Sequence, residues 1–424
     1  MIIPLPALAA YRRDLESLGN AVVPEPELDN ALSGWVSFGS ILESFLVEVT
    51  STAQENGTDA IEHSLETFGP RLAVAAEERD SAADASSTTP STVQPHDLAS
   101  LATLTRLVAD AAEQRGALWL AYAMLATLER VGDAIPPLEL GRLLAQRARV
   151  ARKANSSEVA DTLYRRVDLL GRTANAPELT ARAAIGFGVL AQFRGNLPVA
   201  ARHFAKAARI ATRTGDADLR RLAQHGRMVI AARRGEFADA LSFGWDAFSA
   251  AAGNREQEAD MLLNLAQIAI DTGHPRPALQ GFLAALARRP GPRSLLPALG
   301  GAARAAAALN RMEIVYRCAA RIGELADKGS FAYPITSALL DLALAMATRQ
   351  PILAERHVRR ALRLAEEFHF HELEHHLMAL QTRLEDRTVS ATSAAPPSRS
   401  VGARGFEVLR QIEQLESELL QAVT

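Results

Sequence analysis

The sequence predicts an all-α protein: an α-solenoid of about seven helix-turn-helix repeats, with a helical N-terminal region and a tethered C-terminal helix. Three observations support this fold class. Apolar residues make up 48% of the 424 residues but aromatic residues only 5%, so the apolar content is mainly Ala, Leu and Val. Ala and Leu are strong helix formers. Long alternating runs of β-branched residues, which predict strands, are missing, and turn residues recur at a regular interval.

The recurring turn residues define the repeats. Six of the seven are Gly or Asn, and successive ones lie 39, 40, 40, 38, 37 and 39 residues apart: Gly116, Asn155, Gly195, Gly235, Gly273, Asn310 and Arg349. Five positions after each of them comes Ala in six copies and Val in one: Ala121, Ala160, Ala200, Ala240, Ala278, Val315 and Ala354. A Gly or Asn can adopt the left-handed backbone that ends the first helix of a pair. The small residue then lets the second helix approach the first closely.

A bulky residue comes four positions after the small one in five copies: Leu125, Tyr164, Phe204, Phe282 and Val358. Gly244 and Ala319 interrupt this column. The combination of a small residue, a Gly turn, Ala and a bulky residue resembles tetratricopeptide repeats over about residues 98–375. The third copy, from Phe187 to Ala207, is the most complete. The period of about 39 residues exceeds the 34 of the standard repeat.

The chain divides into five predicted segments. An acidic helical region occupies 1–80 and is followed by a flexible linker at 81–97; residues 1–97 hold 16 acidic and 4 basic residues. The repeats extend over 98–386. A second flexible linker at 387–404 leads to an amphipathic helix at 405–424. Its apolar side holds Phe406, Leu409, Ile412, Leu415 and Leu419. This side needs a partner: the last repeat, a second copy of the chain, or another protein.

The resemblance implies where a ligand binds. In tetratricopeptide repeats the first helix of each pair lines a concave groove, and that face holds ten polar residues here: Arg142, Gln146, Arg149, Arg152, Arg182, Gln192, His225, Asn264, Gln267 and Arg304. Guanidinium groups bind carboxylates through paired hydrogen bonds. The predicted partner is therefore a protein or peptide, and an acidic segment fits the groove best.

One motif suggests an enzyme. His371-Glu372-Leu373-Glu374-His375 matches the zinc-peptidase helix, in which two His bind the metal and Glu activates water. A peptidase needs a third ligand and a substrate-binding strand, but only Leu377–Asp386 and a linker follow. Phosphate-binding, dinucleotide-binding and nucleophile-elbow motifs are also missing. We therefore predict a non-enzymatic chain without catalytic residues, metal or cofactor.

The leading functional prediction is a protein-protein interaction scaffold or adaptor. The alternative is a regulatory sensor whose repeats bind a peptide or small effector; a zinc hydrolase ranks below both. Nucleic acid is not an expected partner because no helix-turn-helix, zinc-finger or basic-aromatic pattern occurs. No apolar run has the length of a membrane span and Cys318 is the single cysteine, so we expect a cytoplasmic protein without a membrane partner. Homo-oligomers through the C-terminal helix are a further expectation.

Overall fold

A computed structural model of the chain describes residues 102–129 in part, 135–327, 332–386 and 399–415. The predicted acidic region at 1–80, the linker at 81–97, Gly116 and Leu419 lie outside the described residues. Every described element is a helix: α1 Leu118–Glu129, α2 Pro137–Lys153, α3 Ser157–Thr173, α4 Pro177–Phe193, α5 Leu197–Thr214, α6 Ala217–Arg233, α7 Phe237–Ala250, α8 Arg255–Asp271, α9 Pro275–Ala287, α10 Pro292–Ala308, α11 Met312–Asp327, α12 Ala332–Met346, α13 Pro351–Glu367, α14 His371–Glu385 and α15 Gly402–Glu413. Among these helices, none combines the length and apolar character needed to cross a bilayer.

The helices form successive hairpins. We call α2, α4, α6, α8, α10 and α12 the first helices, and α3, α5, α7, α9, α11 and α13 the second helices. The chain divides into two compact units, residues 1–190 and 191–424, and α4 begins in one and ends in the other. In the first unit α2 packs on α3; in the second, α6 packs on α7, α8 on α9, α10 on α11 and α12 on α13. The predicted all-α, helical-repeat fold class is confirmed.

The turns inside the hairpins use the residues that the sequence marked. Five predicted turn residues have positive φ angles between 61° and 81°: Asn155, Gly195, Gly235, Gly273 and Asn310. Each ends its first helix in the left-handed conformation, as predicted. Arg349 is the exception, because it does not have a positive φ. There the amide N–H groups of Arg349 and Gln350 both donate to the Met346 carbonyl, at 3.1 and 2.8 Å.

The predicted bulky column packs on glycines of the next first helix. Phe204 and Phe282 are each 1% exposed, and their rings lie against Gly226 and Gly301. A Cβ added to either glycine would lie 2.2–2.3 Å from the facing ring. Where the column is interrupted at Gly244, the side chain of Leu265 takes up the space. The glycines thus set the close approach of neighbouring hairpins, a role that the sequence analysis did not predict.

The C-terminal helix docks within the chain. Helix α15 packs against α7 and α9, two second helices of the second unit, instead of the last repeat. Val408, Leu409 and Ile412 are buried there. The helix begins at Gly402, three residues before the predicted start; Gly402 has a left-handed φ of 62°, and the residue before it, Val401, is buried. Phe406, predicted on the apolar side, is 56% exposed, since Gly405 makes the close contact with α7 instead.

Candidate functional site

Helix α2 displays three of the four predicted arginines of the first unit, and α4 displays the fourth, Arg182. Two of them, Arg142 and Arg149, pair with carboxylates of α2 itself, of α4 and of the segment before α1. The Nε and Nη2 groups of Arg142 donate to one Glu178 oxygen on α4 at 3.1 and 2.7 Å. Its Nη1 group donates to Glu139 at 2.6 Å. Arg149 donates to Asp110 at 2.6 Å and to Glu113 at 2.7 and 3.1 Å. The predicted groove arginines are therefore neutralised in part by internal carboxylates.

Glu113 is the most enclosed of these carboxylates. Its side chain is 3% exposed and accepts from both Arg149 and, at 2.6 Å, Lys153. Two cations offset the cost of removing one carboxylate from water. The ion pairs at Glu113 thus stabilise the packing of the first unit as well as contributing charge to its surface.

The other predicted residues of the first unit lie close to the same surface. Gln146 is 8% exposed, and its amide donates to the Arg106 carbonyl at 2.8 Å. Burial lowers the pKa of the Arg106 guanidinium; Glu139 opposes this shift, while Arg182, Arg142 and Arg149 add to it. Arg182, Arg142 and Arg149 thus each lie near enough to Arg106 to repel its positive charge. Arg152 hydrogen-bonds to Tyr164, whose pKa is raised chiefly by burial.

These residues define what we call the basic face of the first unit. Among the described residues it holds six basic side chains and four acidic partners: Arg106, Arg142, Arg149, Arg152, Lys153 and Arg182, with Asp110, Glu113, Glu139 and Glu178. The resemblance to tetratricopeptide repeats identified four of the six basic residues. Arg106 and Lys153 were missed, although Arg106 lies 36 residues before Arg142, close to one repeat interval.

In the second unit the predicted residues make mainly local contacts. The Asn264 amide donates to the Asp260 carbonyl of its own helix at 2.7 Å, and the Gln267 amide donates to Asp271 at 2.8 Å. Burial lowers the pKa of His225, with a further contribution from Arg221 and opposition from Asp260. Gln192 is half-buried near the end of α4. Arg304, by contrast, lines a cavity.

That cavity lies at the C-terminal ends of α6, α8, α10 and α12, and we call it the first-helix cavity. Its volume is about 610 Å³. Its charged lining consists of Arg233, Asp271, Arg304 and Arg399. Its apolar lining consists of Ala232, Phe237, Ile268, Ala307, Leu344 and Ala345. Arg399 was missed because the sequence placed it in a flexible linker, and nothing in the local pattern indicates that it returns to α8.

Arg304 links two aspartates beside this cavity. Its guanidinium donates to Asp341 on α12 at 3.2 Å and lies 3.7 Å from Asp271 on α8. The Asp341 side chain is 16% exposed. Burial raises the pKa of Asp341 from 3.8 to about 6; Arg304 opposes the rise and Asp271 adds to it. Folding thus costs free energy when the Asp341 carboxylate is ionised, although Arg304 offsets part of that cost.

This arrangement predicts a pH-dependent stability. Because the folded-state pKa of Asp341 exceeds its unfolded value, its stabilising contribution is present below about pH 4 and is lost as the pH rises through about 6. We expect Asp341→Asn to gain about 1–2 kcal/mol over the parent between pH 4.5 and 7.5, allowing for partial exposure. Melting temperatures of the two proteins measured across this range test it. A constant difference between them would contradict the raised pKa.

The zinc-peptidase-like motif lies on the first turn of α14. His371 is 80% exposed, and its Nδ1 lies 3.3 Å from a Glu374 oxygen. The described part of the chain contains no group of three or more His, Cys, Asp or Glu side chains placed to hold a metal ion. His371 and His375 therefore have no third protein ligand among those residues, the ligand that a zinc peptidase requires.

Comparisons with known proteins find similarity to solved structures and none at the level of sequence families. No family model and no curated protein matches the sequence. A solved structure of similar arrangement is a signal transduction ATPase with numerous domains (STAND) protein with a tetratricopeptide repeat sensor, from Pyrococcus horikoshii. The two share 14% identity at a TM-score of 0.48, and the similarity covers 84% of this chain and 55% of that one. The fold assignment rests on the helices and turns described above.

Proposed function

We propose that this protein is a non-enzymatic interaction module that binds a segment of another protein through the basic face of its first unit. The observation that carries this proposal is the convergence of six basic side chains from α2, α4 and the segment before α1 on one surface, against four carboxylates among the described residues. A surplus of cations on one face attracts an acidic segment.

The internal carboxylates shape the binding rather than prevent it. Arg142 is 32% exposed and its partner Glu178 is 28% exposed, so solvent and ligand reach both groups. Ion pairs with this exposure contribute little to stability, so a ligand carboxylate can replace the internal one at small cost. The existing pair holds the guanidinium in place, which reduces the entropy lost when a ligand binds. An acidic peptide is thus the ligand class that this face suits.

A peptide selection tests the proposal. Ten-residue random peptides selected on the full chain should be enriched in Asp and Glu, and their affinity should fall as salt rises. Arg182→Gln should weaken a selected peptide about tenfold, because it removes one charge-assisted contact. Arg165→Gln on α3 is the matched control, since Arg165 is 73% exposed on a second helix. Selected peptides that bind both variants equally would place the binding surface elsewhere.

The first-helix cavity favours a second candidate, a regulatory sensor that binds a small effector. Its volume of about 610 Å³ falls inside the range of roughly 300–1,000 Å³ typical of small-molecule sites. In this candidate the effector binds in the second unit and alters what the protein presents to its partner. The two candidates use different residues and are separable by experiment.

A further inference from the structure

The lining of the first-helix cavity indicates the chemistry of its ligand. Six of its lining residues are apolar, and the charged ones are three arginines and Asp271. With Asp341, the ion-pair partner of Arg304, three guanidinium groups face two carboxylates. One positive charge is left over. A ligand with an apolar body and a single negative charge balances this set, whereas a doubly charged phosphate exceeds it.

Two of the three arginines are available to such a ligand. Arg304 is turned towards Asp341 and Asp271. Arg233 and Arg399, by contrast, are exposed, and neither forms an ion pair with a carboxylate in the described part of the chain. Guanidinium groups bind carboxylates in a planar, paired geometry. The cavity therefore offers cationic groups at its rim and an apolar interior.

The docking of α15 fixes Arg399 at the cavity. The Arg399 amide N–H donates to the Thr272 carbonyl at 3.0 Å, and its guanidinium lies 5.5 Å from the centre of the Phe237 ring. Two residues later Val401 is fully buried. The Gln280 amide on α9 also donates to the Leu415 carbonyl. A contact that holds Arg399 in the cavity thus also favours the docked position of α15.

We propose that the first-helix cavity binds a small amphiphilic carboxylate, and that Arg399 couples its binding to the docking of the C-terminal helix. The apolar body occupies the space beside Ile268, Ala307 and Leu344, and the arginines neutralise the carboxylate. This inference rests on the sensor candidate of the proposed function and is independent of peptide binding at the basic face.

Titration calorimetry of the full chain with sodium octanoate tests the site. We expect octanoate to bind at least about tenfold more tightly than 1-octanol, which has the same chain length without the charge. Arg399→Gln and Arg233→Gln should each weaken octanoate about fivefold to tenfold. Arg234→Gln should not, because Arg234 neighbours Arg233 but pairs with Glu236 at 3.7 Å outside the cavity. Ala307→Phe should abolish binding by filling the apolar space.

A fluorescent label on α15 tests the coupling. Cys318 is the only cysteine and is fully buried, with a pKa raised by burial to about 12. A label therefore reacts selectively at Gln414→Cys, the exposed residue that follows the last turn of α15. Octanoate should raise the anisotropy of the label in this protein and leave it unchanged when Arg399→Gln is added. Binding with unchanged anisotropy would overturn the coupling.

Three results would overturn the site itself: no octanoate binding, equal binding of octanoate and octanol, or unaltered binding by Arg399→Gln and Arg233→Gln together. Far-ultraviolet circular dichroism of each variant shows whether it has folded. Arg233 lies on α6 and Arg399 lies outside the repeats, so the two substitutions disturb different parts of the fold. If one variant does not fold, the octanoate affinity of the other still tests the site. Peptide binding at the basic face, measured by fluorescence polarisation on the same proteins, should stay constant, which separates failure of this site from failure of peptide binding.

Discussion

Replacing Gly226 by Leu is expected to lower the free energy of unfolding of the second unit by about 3 kcal/mol or more. A Cβ at this position would lie 2.3 Å from the Phe204 ring, and Phe204 is 1% exposed. Neither side can yield easily, because the ring is enclosed between α5 and α6. Urea denaturation followed by circular dichroism measures the loss, and hydrogen exchange of α6 locates it.

A matched glycine gives the control. Gly323 also lies inside a helix, α11, but a Cβ there meets nothing within 4 Å. Alanine in a helix is favoured over glycine by about 1 kcal/mol. Gly323→Ala should therefore stabilise the protein, whereas Gly226→Ala, the same chemical change, should destabilise it. Stabilisation by both substitutions would show that Phe204 does not depend on the glycine.

A compensating substitution isolates the contact. Phe204→Ala alone is expected to cost about 3–5 kcal/mol, because it leaves a cavity in the core. In the double variant with Gly226→Leu, the new side chain enters the space that the ring leaves, so the double loss should be smaller than the sum of the single losses. Strictly additive losses would argue against direct packing between these two residues.

The position of this glycine explains what the sequence could and could not predict. The turn at Gly195 and the buried Phe204 follow from local rules: a left-handed residue ends a helix, and a bulky residue recurs on one helical face. The presence of Gly226 does not follow from local rules, since a glycine inside a helix is locally unfavourable. Its benefit comes from an aromatic ring 22 residues earlier in the sequence. Only the packing of neighbouring hairpins shows that benefit.

The candidate sites also combine residues that the sequence predicted with residues that only the long-range packing brings to them. Arg142 and Arg304 were predicted because the resemblance assigns one face of each first helix to the ligand. Their partners Glu178 and Asp341 lie 36 and 37 residues away, on the next first helix, and the sequence alone did not pair them. Arg399 depends on the docking of α15 on α7 and α9, a long-range contact that no periodicity indicates.

Reversing the charge of Arg149 should destabilise the first unit by roughly 3–5 kcal/mol, because a buried carboxylate loses a cation. The Glu113 side chain is 3% exposed and has two cationic partners, Arg149 at 2.7 Å and Lys153 at 2.6 Å. Arg149→Glu removes one of them and puts a second carboxylate beside the first, with Asp110 also near. Chemical denaturation of the variant, followed by circular dichroism, measures the loss.

Arg165→Glu on α3 is the control for this charge reversal. Arg165 is 73% exposed and its partner Asp161 is 21% exposed, so the change should cost less than about 1 kcal/mol. A similar loss in both variants would mean that net charge, not the burial of Glu113, governs stability. Adding Glu113→Gln to Arg149→Glu should recover part of the loss, since an amide carries no charge to compensate.

This result also decides how ligand binding on the basic face can be studied. Loss of binding after the combined replacement of Arg149, Arg152 and Arg182 by Glu would not locate the binding surface, because Arg149→Glu alone is expected to destabilise the first unit. Arg182→Gln tests the surface without altering Glu113. If Arg149→Glu melts like the parent, Glu113 is satisfied by Lys153 alone, and Arg149 is then free to act as a ligand-binding residue of the basic face.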